Sequence, residues 1–170
     1  MPLDELSGPD LPGAVAVADA VGLQYVVIGG FSVILHGYVR ATKDSNLLVP
    51  DGADADAAVL RFLRRIDARR FQDDRVLTEE DVSGGEHLRV NSRHGIIDVM
   101  RGGLPPLDYE TVAAHAETVE WGGQRIRFAA LPSIVGFKRL AGRAQDRLDL
   151  SELEALHGEL PIGPIPGLDS

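Results

Sequence analysis

Apolar residues change their spacing several times along this chain, and each change marks an element. From Leu11 to Val21 alanine and valine alternate with few breakers, which predicts a helix closed by Gly22. Tyr25-Val26-Val27-Ile28 is a β-branched run ending at Gly29-Gly30, the pattern of a buried strand that stops at a tight turn. Phe31, Ile34 and Leu35 follow at helical spacing, with Gly37 as the stop. A second strand is expected from Asp44, its apolar part being Leu47-Leu48-Val49, and Pro50-Asp51-Gly52 turns the chain. Over about 55–70, Val59, Phe62, Leu63 and Ile66 share a helix face opposite arginines, with Asp54 or Asp56 as cap. Residues 71–85 are acidic and aperiodic, so a loop is expected there, with a short strand at Val76-Leu77.

The second half reads similarly. His87 to Asn91 alternates, residues 92–95 turn, and Gly95 to Met100 returns as the partner strand. Helices are expected at Tyr109–Ala116, at Ser133–Gly142 with Ile134, Phe137, Leu140 and Ala141 inward, and at about 146–156 with Leu150, Leu153 and Leu156 inward. Glu117–Trp121 and Gln124–Ala130 flank Gly122-Gly123, a two-residue hairpin signal. The expectation is one α/β (α+β) domain over 1–160, a mixed β-sheet flanked by helices and built on strands near 25–28, 44–49 and 95–100. Residues 1–10 read as a loose lead-in and 161–170 as a Pro/Gly-rich tail, disordered or loosely docked.

Composition narrows the classes. At 170 residues, 44% hydrophobic and 25% charged, the chain has the make-up of an ordinary globular domain. It contains no cysteine, which excludes disulfides, thiolate metal sites and a cysteine nucleophile. The acidic N-terminus lacks a signal pattern, and the longest apolar run falls far short of the ~20 residues of a spanning helix. A cytoplasmic protein without a membrane partner is therefore expected. A net charge of −9 argues against a surface built for duplex nucleic acid, though not against a local basic site. The arginines between 61 and 70 read as a solvated helix face.

Three places carry chemistry. Strand, Gly-Gly, short helix aims unpaired N–H groups at one point, a geometry suited to phosphate. Asp44 and Asn46 fall on one face of their strand, about 7 Å apart, at positions where such residues are disfavoured. Asp98 interrupts an apolar strand, where an unpaired carboxylate would cost several kcal/mol.

Taken together, Gly29-Gly30, His36-Gly37, Arg40-x-Thr42-x-Asp44-x-Asn46 and the apolar run after them resemble the first motif of the DNA polymerase β-type nucleotidyltransferase superfamily. The nearest branch is the small bacterial group that includes abortive-infection and mycobacterial nucleotidyltransferase toxins. Lys138-x4-Arg143-x2-Asp146-x2-Asp149 is similar to a second string of the same group. The resemblance implies a nucleotidyltransferase fold and Mg²⁺ at a two-metal site formed by Asp44, position 46 and Asp98, with Asp98 also able to orient or deprotonate the acceptor hydroxyl. It implies a nucleoside triphosphate held by Gly29, Gly30, Ser32, Arg40, Thr42, Lys43 and Lys138. For Ser32 a helix-packing role stands beside the phosphate role. For Arg143 and Asp149 a surface ion pair stands beside function, and His36 reads as structural.

The activity implied is transfer of a nucleoside monophosphate to a hydroxyl of an RNA (tRNA-like) or a protein, in a toxin–antitoxin or phage-defence setting with an antitoxin or toxin partner. The chain departs from the pattern where the family's second aspartate is Asn46. The missing charge at about 4 Å is worth roughly 4 kcal/mol at an effective dielectric near 20. Two readings follow: a nucleotidyltransferase with a weakened metal site, or a degenerate fold acting as a nucleotide-binding or protein-interaction module without turnover.

Overall fold

The computed structural model describes residues 8–169; of the expected loose lead-in 1–10, residues 1–7 lie outside them, and Asp10 is instead tied down as the N-cap of the first helix, bonded to His94 O. In chain order come α1 (Leu11–Val21), β1 (Val26–Ile28), α2 (Gly30–Leu35), β2 (Asp44–Val49), α3 (Ala53–Arg65), β3 (Arg69–Arg70) and α4 (Glu79–Ser83). Then follow β4 (His87–Ser92), β5 (Gly95–Arg101), α5 (Tyr109–Ala114), β6 (Glu117–Trp121), β7 (Gln124–Phe128), α6 (Leu131–Ala141) and α7 (Ala144–His157).

The strands form one mixed sheet in the order β3-β4-β5-β2-β1-β7-β6. β2 runs parallel to β5 and antiparallel to β1, so the three strands read from the apolar runs are its centre. β1 meets β7 in parallel. One face carries Leu47, Val49, Ile97 and Val99 and packs on Leu11 and Val15 of α1 and Val59, Phe62 and Leu63 of α3. The other carries Val26, Ile28 and Leu48 and packs on Val112 of α5, Ile134 of α6 and Leu153 of α7. Helices on both faces of a sheet with buried central strands make one layered domain.

Several local expectations change. α3 stops at Arg65 rather than near 70, because Ile66 ends it and Asp67 takes a positive φ of 53° that a helix cannot continue. Its N-cap is Gly52; Asp54 and Asp56 lie in the first turn, favourable to the helix dipole, and Asp56 pairs with Arg101. The expected loop at 71–85 contains α4, started by a reciprocal Thr78–Asp81 capping box. Val76 makes only an isolated bridge with Arg69.

Leu140 and Leu156 are exposed, and the buried positions around them belong to Lys138, Asp146 and Asp149. In the tail, Ile165 is buried and Asp169 accepts from Arg139 at 2.8 Å.

Candidate active site

β-strand alternation puts Asp44, Asn46 and Leu48 on one face of β2. In the parallel register Asn46 stands beside Asp98 of β5, and in the antiparallel register Asp98 stands beside Arg89 of β4. Three adjacent strands thus deliver Asn46, Asp98 and Arg89 as a row, with Asp44 one step along β2. Asp44 and Asp98, far apart in sequence, accept from the same guanidinium nitrogen: Arg89 Nη2 donates to Asp44 Oδ2 at 2.6 Å and to Asp98 Oδ2 at 2.9 Å.

All four carboxylate oxygens of the pair are engaged. Arg89 Nε and His87 Nε2 both donate to Asp98 Oδ1 at 2.9 Å, and the Asn46 amide donates to Asp44 Oδ1 at 3.0 Å. Burial and the neighbouring Asp98 charge push the Asp44 pKa up, against the bond from Asn46. Burial pushes Asp98 up too, but the hydrogen bonds and charges of Arg89 and His87 outweigh it and hold Asp98 below the usual carboxylate range.

The glycine turn closes the other side. Gly29 sits at φ 73°, ψ −149°, a conformation open essentially to glycine, and a Cβ there would lie 2.4 Å from Asn46 Nδ2. A Cβ on Gly30 would meet Thr42 Oγ1 at 2.5 Å. Both glycines are therefore required by close approach to β2 and the loop before it. α2 has only six residues, so its dipole adds little to what the turn N–H groups offer. The Ser32 hydroxyl donates to Gly29 O at 2.6 Å and Thr42 Oγ1 to Asp44 O at 3.1 Å, so both brace the turn and strand. Lys43 is exposed at the mouth. His36 donates through Nε2 to Ala129 O at 3.0 Å, away from the carboxylates.

The two sequence strings hold each other. Arg40, from the first, forks onto Asp149, from the second, with Nε and Nη2 each 2.8 Å from a carboxylate oxygen. Lys138 Nζ lies 3.0 Å from Asp146 and 2.9 Å from Asp149 and is itself buried. Gln145 adds a bond to Asp149, and Arg143 donates through Nε to Asp146 at 2.7 Å. Burial opposes ionisation of both aspartates, yet these partners outweigh it and hold both pKa values low. Arg40 and Lys138 are thus committed to a buried ion cluster that fixes α6 and α7 against the loop before β2. The guanidinium end of Arg143 remains exposed, within electrostatic reach of Asp44 and Asp98.

Arg89 and His87 are the functional candidates that reading the chain position by position missed. A signal was present: pairing the hairpin outward from an Arg93-His94 turn sets 92 opposite 95 and therefore 89 opposite 98, as observed. Arg89 also lies over the Phe71 ring, 5.1 Å from its centroid. Both border a groove of about 730 Å³ that Arg70, Phe71, Arg75 and Asp81 help to line.

Two carboxylates and an amide oxygen suit one hard cation that completes its shell with phosphate and water. They fall short of three carboxylates for two metals, and among the described residues no group of three or more His, Cys, Asp or Glu is placed to hold a metal.

No family model matches the chain, and no curated protein matches it by sequence. Solved structures do. The chain is similar to the lincosamide antibiotic adenylyltransferase LnuA, seen with lincomycin bound, at 12% identity and TM-score 0.60 over 86% of this chain and 96% of that one. It is similar to ANT(2")-Ia in complex with adenylyl-2"-tobramycin, at 12% identity and TM-score 0.58 over 85% and 86%. A nucleotidyltransferase-like protein from Paracoccidioides brasiliensis matches at 13% identity and TM-score 0.52 over 88% and 77%. At such identities the likeness establishes the fold: this is a nucleotidyltransferase fold in a single mixed α/β domain.

Proposed function

We propose that the cleft between the Gly29-Gly30 turn and the Asp44/Asp98 pair binds a nucleoside triphosphate, and that the protein is a nucleotidyltransferase. It moves a nucleoside monophosphate to a hydroxyl of an RNA end or a protein side chain. One observation carries this reading. Two carboxylates distant in sequence meet on one sheet face, close enough to share the Arg89 Nη2 atom, beside a turn whose glycines are required by close packing.

The acceptor oxygen bonds to the α-phosphorus, the bond from that phosphorus to the β-bridging oxygen breaks, and pyrophosphate leaves with its electron pair. The hydroxyl proton passes to the carboxylate pair. Asp44 and Asp98 would hold Mg²⁺, which when bound supplies positive charge to the phosphoryl oxygens. Lys43 is exposed at the mouth, and Arg143, which forks onto Asp146 yet stays largely exposed, is the second cation offered to the triphosphate. The groove beside Phe71 leads the acceptor to the carboxylates. The Gly-Gly…Arg-x-Thr-x-Asp string supports a toxin–antitoxin or phage-defence setting with a partner protein.

A second reading, nucleotide binding without turnover, is favoured by Asn46, whose amide occupies an oxygen of Asp44 instead of adding a carboxylate. Thermal melting with each of the four triphosphates and Mg²⁺ tests the shared premise. At a hundredfold excess over the dissociation constant, binding stabilises by about 2.7 kcal/mol. One triphosphate should raise the melting temperature of the wild type but not that of Asp44→Asn; no shift with any of the four removes both readings.

A further inference from the structure

Two of the arginine–aspartate forks in this nucleotidyltransferase fold bear on the site, and they differ in kind. Arg40 grips Asp149, whose side chain is wholly buried among Lys138 and Gln145, and it acts as a fixed strut. Arg89 grips Asp98 and Asp44 at the edge of an open groove, with its own side chain 35% exposed. The first has nowhere to go. The second holds carboxylate oxygens that a divalent cation would need, and its exposure at the groove gives it room to leave.

We propose that Arg89 is the resident counter-cation of the Asp44/Asp98 pair. A divalent cation and Arg89 compete for the same oxygens, so the site takes up a divalent cation effectively only together with a triphosphate. The charges support this. Two carboxylates faced by one guanidinium leave at most a single negative charge, and Asn46 withholds the third carboxylate that would have kept the site strongly anionic. Mg²⁺ gives up water reluctantly and binds weakly where its oxygens are already hydrogen-bonded. A triphosphate changes the balance, because its oxygens suit the planar fork of a guanidinium as well as a carboxylate does. Arg89 then moves from carboxylate to phosphate, with Phe71 as the surface along which its flat face travels. Arg89 is a positioning residue in this account, coupling one ligand to the other.

The phosphate half of this inference rests on the proposed nucleotide binding; the competition half does not. Mn²⁺ alone, followed by the electron paramagnetic resonance of the free ion, separates them. Without nucleotide, Arg89→Gln is expected to bind Mn²⁺ at least about tenfold more tightly than the wild type, a change of about 1.4 kcal/mol. Arg89→Lys, which keeps a charge but loses the fork, should fall between and stands in if the glutamine variant fails to fold. Adding Asp98→Asn to Arg89→Gln should abolish the gain. Equal Mn²⁺ affinity in wild type and both single variants overturns the proposal, as does a gain that survives in the double variant. With a non-hydrolysable triphosphate present, Mn²⁺ affinity should rise markedly in the wild type and much less in Arg89→Gln. A gain with Mn²⁺ alone but no response to any triphosphate would keep the competition and remove the nucleotide reading.

Discussion

Lys138 shows how far a residue's surroundings decide its role. A lysine in the second string implies a phosphate contact, yet its ammonium is enclosed by Asp146 and Asp149 with almost no exposure. Removing one member of a buried ion cluster leaves uncompensated charge and costs about 3–5 kcal/mol. Lys138→Met should therefore lower unfolding free energy by an amount in that range, measured in urea. Triphosphate affinity preserved in the folded fraction assigns Lys138 to the strut; lost affinity in a stably folded variant assigns it to phosphate. Gly29 is fixed by its surroundings in the same way. Its positive φ and the nearness of Asn46 make it indispensable to the turn before any ligand is considered.

Elements set by apolar period were legible in the sequence, because a buried face needs an apolar residue at each inward position. The core of α1, the three central strands and both hairpins follow from that rule. α4 escaped it: five residues with three acids in the first turn have no period, and the Thr78–Asp81 capping box is what marks them. The inward faces of α6 and α7 were misread at Leu140, Ala141 and Leu156, all exposed, since a buried ion cluster takes the inward positions there.

That cluster has a consequence in acid. Asp146 and Asp149 titrate below their unfolded value near 3.9, because hydrogen bonds from their cationic partners outweigh burial. A depressed folded pKa contributes stability that is full above about pH 4 and is lost as pH falls through the folded values. Unfolding free energy should drop below about pH 4, and Asp149→Asn should be less stable at neutral pH with a shallower acid limb. An identical acid limb in both proteins would contradict the role given to Asp149.

At the scale of the whole molecule, the fold puts its chemistry at one end of the sheet. β2 and β5 begin together there, β1 ends there at the glycine turn, and Arg40 locks the α6–α7 pair to the loop before β2. The carboxylates of this site were legible as polar interruptions of apolar strands. The arginine between them was not, because its meaning comes from hairpin register rather than from its own neighbours. An overall charge of −9 leaves little general attraction for nucleic acid, so in the proposed function recognition of an acceptor falls to the groove lined by Phe71 and Arg89.

Nucleotidyl transfer at the Asp44/Asp98 pair should be seen as passage of α-³²P label from each triphosphate into total RNA or into total protein of a bacterial extract. Wild type, Asp98→Asn and Asn46→Asp should be compared, with folding checked by melting. Slow labelling of one pool is expected with the wild type and none with Asp98→Asn. Asn46→Asp, which restores the missing carboxylate at nearly constant volume, should gain about tenfold, the equivalent of 1.4 kcal/mol in barrier. Labelling of neither pool by wild type and Asn46→Asp alike, with triphosphate binding intact, would contradict nucleotidyl transfer at this pair.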